Sequence, residues 1–347
     1  LNIEEDCSQS EKEKVLEQGR KKKWAKFLIG TAILFGVYKG MEPSNQDFDS
    51  TRDYGPNIIQ QEFIRLSAQR NTYVAFGDTG HNYPEIPHFA YHQKTLQALE
   101  KGGVENYSME LFSTEQPKIT AVQEARSAGY DYAGRQAFIC SDKAKESLNA
   151  TFNSSAKYYN NIHFIASDSR FDGSGNMDFK LGLYDKIVFG VSLQIYQGVY
   201  GCLDQKAAIL PLILTLGTLD SKGMNAGFKD DTEAARNIGA HPGKTAIFYG
   251  AGHFRIPPGA KSMRSLLSND QKTITVIDLF KDAAQKKGRD DLITAQELKL
   301  GGKMQPPDAV FYVTPPPGNP DGIEAVSPEA KAIYEQAKEN LRNPAIN

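Results

Sequence analysis

Cysteine is scarce in this chain: Cys7, Cys140 and Cys202 are the only three, and none stands in a CxxC or comparable zinc-ligand spacing. An odd, widely spaced set excludes a disulfide framework and a structural zinc site, and it leaves open a Cys140–Cys202 bridge in an exported domain. Neither sign of charge is in excess, with a formal net charge of −2. That excludes the global basic footprint of a nucleic-acid binder. Uninterrupted apolar runs of the roughly 20 residues that a spanning helix needs are also missing. No tandem repeat is present, and 347 residues suffice for one large domain or two ordinary ones.

What the amino-terminal region does have is "GRKKKWAKFLIGTAILFGVYKGM", in which Arg20, Lys21, Lys22, Lys23 and Lys26 precede an apolar run from Phe27 to Tyr38. A run of that length suits a signal-sequence core, an interfacial helix or a buried helix. No A-x-A-like cleavage site follows it, and the basic excess lies upstream. The expectation is therefore an uncleaved signal-anchor within residues 1–42, with Trp24 and Tyr38 at the interface. The positive-inside rule then places the globular domain on the non-cytoplasmic side of the membrane. The alternative is a soluble domain whose first amphipathic helix packs on the core.

Residues 43–57 read as a polar linker, and the domain is expected over 58–313. Apolar strand-like runs at Tyr73–Phe76, "ENYSMELF", "NIHFIASDSR", "TAIFYG" and "KTITVIDLF" are separated by helical patterns, which predicts βα units and an α/β fold with a mixed, mainly parallel sheet flanked by helices. "PEIPHFAYHQKTLQALEKGG" predicts one helix stopped by Gly102 and Gly103. Residues 180–225, with the run Ala207–Leu219 broken by Pro211, read as an apolar insert: a buried core helix, or a lid or pocket wall. "PPDAVFYVT" is expected as an edge strand. Residues 314–347 then supply a Pro-rich connector and a terminal helix capped by Ser327 with Pro328 in its first turn.

Two segments carry chemistry. "TYVAFGDTGH" and "TAIFYGAGHF" each run a strand into a Gly-rich turn that ends on a histidine, His81 and His253. Between them, "YSMELF" places Glu110 where a buried strand end is expected. A carboxylate among apolar neighbours is costly unless a cation, metal or donor meets it. The inference is that His81, Glu110 and His253 share one pocket. Such a set supports two chemistries that the residues alone do not separate. As three ligands of a divalent metal, they leave an open position for an activated water. Without metal, one histidine activates water, Glu110 orients or assists it, and Arg170 or Arg236 stabilises the oxyanion. His88 and His92, four apart in "HFAYH", would share a helical face, which makes His88 a fourth candidate ligand.

On these motifs the chain resembles the superfamily that joins ChaN-like haem-binding lipoproteins, erythromycin esterases and TraB/Tiki-type proteases. "FGDTGHNYPEIPHFAYHQKTLQAL" is similar to the ChaN-like opening, "YSMELF" to that family's "gMEmF", and "YGAGHFRIPPGAKSMRSLL" to its closing "aGnGHv…GvP…L". The likeness runs in order over Tyr73–Leu267. Asp78 stands where the family more often has Glu, and one extra residue separates Glu85 from His88. By motif position the resemblance implies His81, Glu85, Glu110, Arg170 and His253 as site residues. It also implies either hydrolysis of an ester or amide in a small-molecule or peptide substrate, or haem or iron-compound binding, or a non-catalytic interaction domain on the same scaffold. The cofactor expectation is accordingly a divalent metal or haem.

Overall fold

The computed structural model describes residues 48–80, 83–125, 129–135, 139, 141–168, 231–255, 262–268, 271–290 and 303–343. The chain divides into two units, Leu1–Pro43 with Lys180–Met224 and Ser44–Phe179 with Asn225–Asn347, and every described residue belongs to the second. The expected anchor over 1–42, the apolar insert over 180–225, His81 and Arg170 all lie outside the described residues. No helix among the described residues is long and apolar enough to cross a membrane.

Among the described residues seven strands form one sheet: β1 (Tyr73–Asp78), β2 (Val104–Phe112), β3 (His163–Asp168), β4 (Lys244–Gly250), β5 (Ile274–Phe280), β6 (Ala309–Tyr312) and β7 (Ile323–Ala325). Their order is β3-β2-β4-β1-β5-β6-β7. All pairs are parallel except β6 with β7. The α-helices that lie wholly among the described residues are α1 (Ile58–Arg70), α2 (Glu85–Ala90), α3 (Gln93–Lys101), α4 (Gln116–Gln123), α5 (Tyr132–Arg135), α6 (Asp142–Tyr158), α7 (Thr232–Gly239), α8 (Gly252–Arg255), α9 (Met263–Leu267) and α10 (Pro328–Arg342). This is the α/β architecture that the alternation of strand and helix patterns predicts.

The strands read as near-continuous apolar runs because both faces of the sheet are covered. Side chains alternate between two cores. Val74 and Phe76 of β1 join Tyr107, Met109, Phe248 and Leu279 in the larger one, which α1 to α6 and α10 cover. Tyr73 and Ala75 join Ile247, Tyr249 and Val276 in the smaller one under α7 to α9. The polar stretch expected as a linker contributes Phe48 and Tyr54 to the larger core. Residue Asn57 then closes a reciprocal capping box with Gln60 at the start of α1.

Two elements depart from the sequence expectation. The single helix predicted over "PEIPHFAYHQKTLQALEKGG" is broken into α2 and α3, because His92 turns extended and caps α3 by accepting the Lys94 N–H on its imidazole. His88 and His92 therefore do not share a helical face. β6 is not the edge strand either. The Pro-rich connector turns back, with Gly318 and Gly322 at φ of +85° and +65°, to lay β7 along it. Positive φ is the conformation that glycine adopts at no steric cost.

Gly77 is required by a close approach. A β-carbon there would overlap Asp278 Oδ1 and stand 3.1 Å from the Ala251 Cβ. Gly77→Ala is expected to cost about 1–3 kcal/mol through overpacking, read as a lower urea midpoint at unchanged slope. A midpoint equal to wild type would contradict this packing.

Candidate functional site

β1 is the point at which the chain changes direction across the sheet: β2 and β3 lie to one side of it, β5 and β6 to the other. In α/β sheets the crevice beyond the strand carboxyl ends at such a switch is the usual ligand site. The two Gly-rich turns leave the sheet there side by side. Asp78 and Gly250 are register partners, the Ala251 N–H donates to the Asp78 carbonyl (2.8 Å), and the Gly80 N–H donates to Asp78 Oδ1 (2.9 Å). Gly80 is the residue before His81.

His253, on α8, is buried between two carboxylates. Its Nδ1 is 2.7 Å from Asp231 Oδ1 and its Nε2 is 3.3 Å from Glu110 Oε1. A bulge in the β2–β3 pairing between Met109 and Phe112 falls at Glu110, a local kink of the kind that re-aims a side chain. The other carboxylate oxygen of Glu110 accepts the Gly250 N–H at 2.7 Å. Asp231 is held from behind by the Met263 N–H (3.1 Å). Burial works against an imidazolium at His253, but the Glu110 charge and the Asp231 hydrogen bond outweigh it and raise the ring to about 9.

That shift has a stability consequence. The folded value exceeds the ordinary 6.5, so the native state binds this proton more tightly than the unfolded chain. The resulting stabilisation, on the order of 3 kcal/mol, is complete below about pH 6.5 and is lost as pH rises through about 9. Chelator-treated wild type is expected to lose urea stability across that window and His253→Gln is not. Equal pH slopes for the two would contradict the clamp.

The remaining candidates are spread along the same edge. Glu85, the first residue of α2, is buried, with Lys281 Nζ 3.3 Å from Oε1 and, among the described residues, no hydrogen-bond partner on Oε2. Burial raises its pKa, against the pull of Lys281. Lys281 follows β5, and Glu110 stands on β2, three strand positions away or roughly 14 Å at about 4.8 Å per strand. His88 packs against Phe48 and Tyr54 with Nδ1 3.0 Å from Thr151 Oγ1, and burial, with the His92 charge, pushes it down to about 4. Arg236, an oxyanion candidate from sequence, is instead two-thirds exposed and paired with Glu233 at 2.6 Å.

Sequence reasoning missed Asp231. It precedes the first residue of α7, where an aspartate signals a helix cap, yet its side chain makes no capping bond and is spent on His253 and Met263. Arg255 and Asp278 were also missed. The buried guanidinium, pushed down to about 10 by burial and by the nearby Arg289 charge, pairs with the buried Asp278 carboxylate.

Among the described residues no three His, Cys, Asp or Glu side chains converge as a metal cluster. The His253–Glu110 pair nevertheless has donor chemistry that fits a divalent ion. Two ligands about 2.1 Å from one tetrahedral ion stand roughly 3.4 Å apart, close to the observed 3.3 Å. Asp231 on Nδ1 occupies the place of the outer carboxylate that orients a metal-binding imidazole.

No protein-family model and no curated protein matches the chain. Among solved structures it is similar to the type III effector HopBA1, at 15% identity and a TM-score of 0.31 over 70% of this chain and 89% of that one. It is also similar to ChaN of Campylobacter jejuni, a structure described as showing cofacial heme binding, at 12% identity and a TM-score of 0.34 over 63% and 85%. A Bacillus cereus protein gives 13% identity and a TM-score of 0.41 over 89% and 84%. These are distant likenesses.

Proposed function

We propose that the chain is a hydrolase of ester or amide bonds in a small-molecule or peptide substrate, with Asp231, His253 and Glu110 as its acid–base centre. The observation that carries this reading is the burial of one imidazole between two carboxylates at the switch point of a parallel sheet. Asp231 orients the ring and stabilises its charge, as a buried carboxylate does behind an acid–base histidine. His253, charged at neutral pH, supplies the proton that the leaving group needs. Glu110, pinned by the Gly250 N–H, orients the attacking water. The base is assigned to His81 by motif position; it follows in sequence the turn that begins at Asp78, the register partner of the Gly250 that leads into α8.

If a divalent ion is resident, His253 and Glu110 would hold it with His81, and it would supply an acidified water. Elemental analysis of wild type and His253→Gln decides this. Haem binding, the other activity that the motif resemblance implies, would draw an axial His or Tyr ligand from a residue other than His253, both of whose ring nitrogens face carboxylates. A saturable Soret band at near-integral stoichiometry on hemin titration would replace the hydrolytic reading. The basic segment and the Phe27–Tyr38 run support a membrane tether with the domain on the non-cytoplasmic side. Deleting residues 1–42 should then release a soluble, folded domain. The primary test is a panel of ester and amide substrates. Turnover that is lost in Glu110→Gln supports the assignment, and turnover retained in folded Glu110→Gln removes it.

A further inference from the structure

We propose that Tyr249 is a positioning residue for the His253 imidazole, anchored in that task by a buried hydroxyl chain through Ser167 and Ser108. The role assigned to His253 rests on the hydrolytic reading; the geometry does not. Asp231 and Glu110 meet the two ring nitrogens and constrain the imidazole within its own plane. Hydrogen bonds tolerate tens of degrees of misalignment, so tilting out of that plane must be resisted by packing on the ring. Tyr249 supplies that contact: the two rings stand nearly perpendicular, at 81°, with centroids 5.5 Å apart, a favoured aromatic arrangement.

Tyr249 is itself held at its far end. Its hydroxyl is 2.5 Å from Ser167 Oγ, which is 2.6 Å from Ser108 Oγ and 3.3 Å from the Met109 carbonyl. Tyr249, Ser167 and Ser108 are at most 1% exposed. The chain of hydroxyls thus ties β4, β3 and β2 together directly behind the site. Ser108 stands two residues before Glu110, and Tyr249 immediately precedes Gly250, whose N–H holds Glu110. A shift of Tyr249 is therefore felt at both ends of the His253–Glu110 contact.

Burying three hydroxyls has a desolvation cost that their mutual bonds only offset. The surrounding cluster, with Ile238, Ile247 and Phe254, would accept apolar side chains without that cost, since replacing both partners of a buried hydrogen bond by apolar groups is often near neutral. Core filling alone does not call for this network, whereas fixing one aromatic ring against a reacting imidazole does.

The test uses the full chain labelled with 13C and 15N at histidine, with the His253 imidazole signal identified by its loss in His253→Gln. Tyr249→Leu removes the ring, Tyr249→Phe keeps it without the hydroxyl, and Ser167→Ala cuts the anchor. The expected result is a single sharp His253 signal in wild type that broadens or splits in Tyr249→Leu and in Ser167→Ala. With p-nitrophenyl acetate as probe, kcat is expected to fall by about tenfold in Tyr249→Leu at unchanged KM, and by a smaller factor in Tyr249→Phe and Ser167→Ala alike, since either exchange cuts the same hydroxyl bond and the His253 signal should broaden in both. A His253 signal as sharp and unshifted as wild type in folded Tyr249→Leu overturns the proposal. Should that variant not fold, the same result in both Tyr249→Phe and Ser167→Ala overturns it. Wild type without turnover of any ester or amide would count against the hydrolytic reading alone, because the imidazole signal decides the positioning role without it.

Discussion

Turnover of an ester or amide substrate falls by about 10²–10⁴-fold when His253 is replaced by glutamine, the range that a positioned proton donor contributes. Glutamine keeps an N–H for one of the two flanking carboxylates but cannot carry a proton to a leaving group. The exchange also leaves Asp231 and Glu110 as two carboxylates without the cation between them, which removes the electrostatic reason for the pocket's geometry. Arg236→Ala is the matched control. Its side chain is two-thirds exposed and paired with Glu233, so its loss should leave turnover unchanged. Measuring kcat and KM for both on the best substrate of the panel checks the pair, with circular dichroism confirming the fold. Undiminished turnover in folded His253→Gln would sink the acid–base assignment.

Asp278→Ala should lower unfolding stability by about 3–5 kcal/mol, the cost of stripping one partner from a buried ion pair. Asp278 is fully buried and Arg255 nearly so. Burial and the Arg289 charge already hold the Arg255 guanidinium down to about 10, against the pull of Asp290, so removing Asp278 takes away the carboxylate paired with it in the core. The pair joins α8, which bears His253, to β5 across Gly77, and its loss therefore loosens the frame of the site as well as the core. A double exchange of Arg255→Met with Asp278→Leu removes both charges together and should recover much of the stability, since well-packed apolar replacements of buried ion pairs are often neutral or better. Urea midpoints at constant slope provide the measurement. A single variant within about 0.5 kcal/mol of wild type, the range of inconsequential surface changes, would show that the pair does not bear on folding.

Several elements of the site were legible without coordinates. Glu110 stood out because a charge at the end of an apolar strand has to be met by something, and what meets it is the His253 ring and the Gly250 N–H. The latter bond spans 140 residues of sequence. The two Gly-rich turns stood out by composition, and they do leave the sheet together. Asp231 was hidden by its own plausibility, since an acid before a helix reads as a cap. Tyr249, Ser167 and Ser108 were hidden because polar or aromatic residues alternating along a strand read as ordinary strand composition.

The amino-acid order by itself determined the α/β class, the stretches that become strands, and the Gly-rich turns at the ends of β1 and β4. These are local properties: apolar periodicity, β-branched and aromatic content, and glycine where the backbone turns. Tertiary structure alone decided that β4 lies between β2 and β1, that β7 rather than β6 forms the sheet edge, and that Asp231, Glu110 and Tyr249 converge on one imidazole while Arg255 reaches Asp278. Strand order and the packing of α7 and α8 set those meetings. Periodicity says which face of an element is buried, but the partner it is buried against depends on the free energy of the whole assembled sheet.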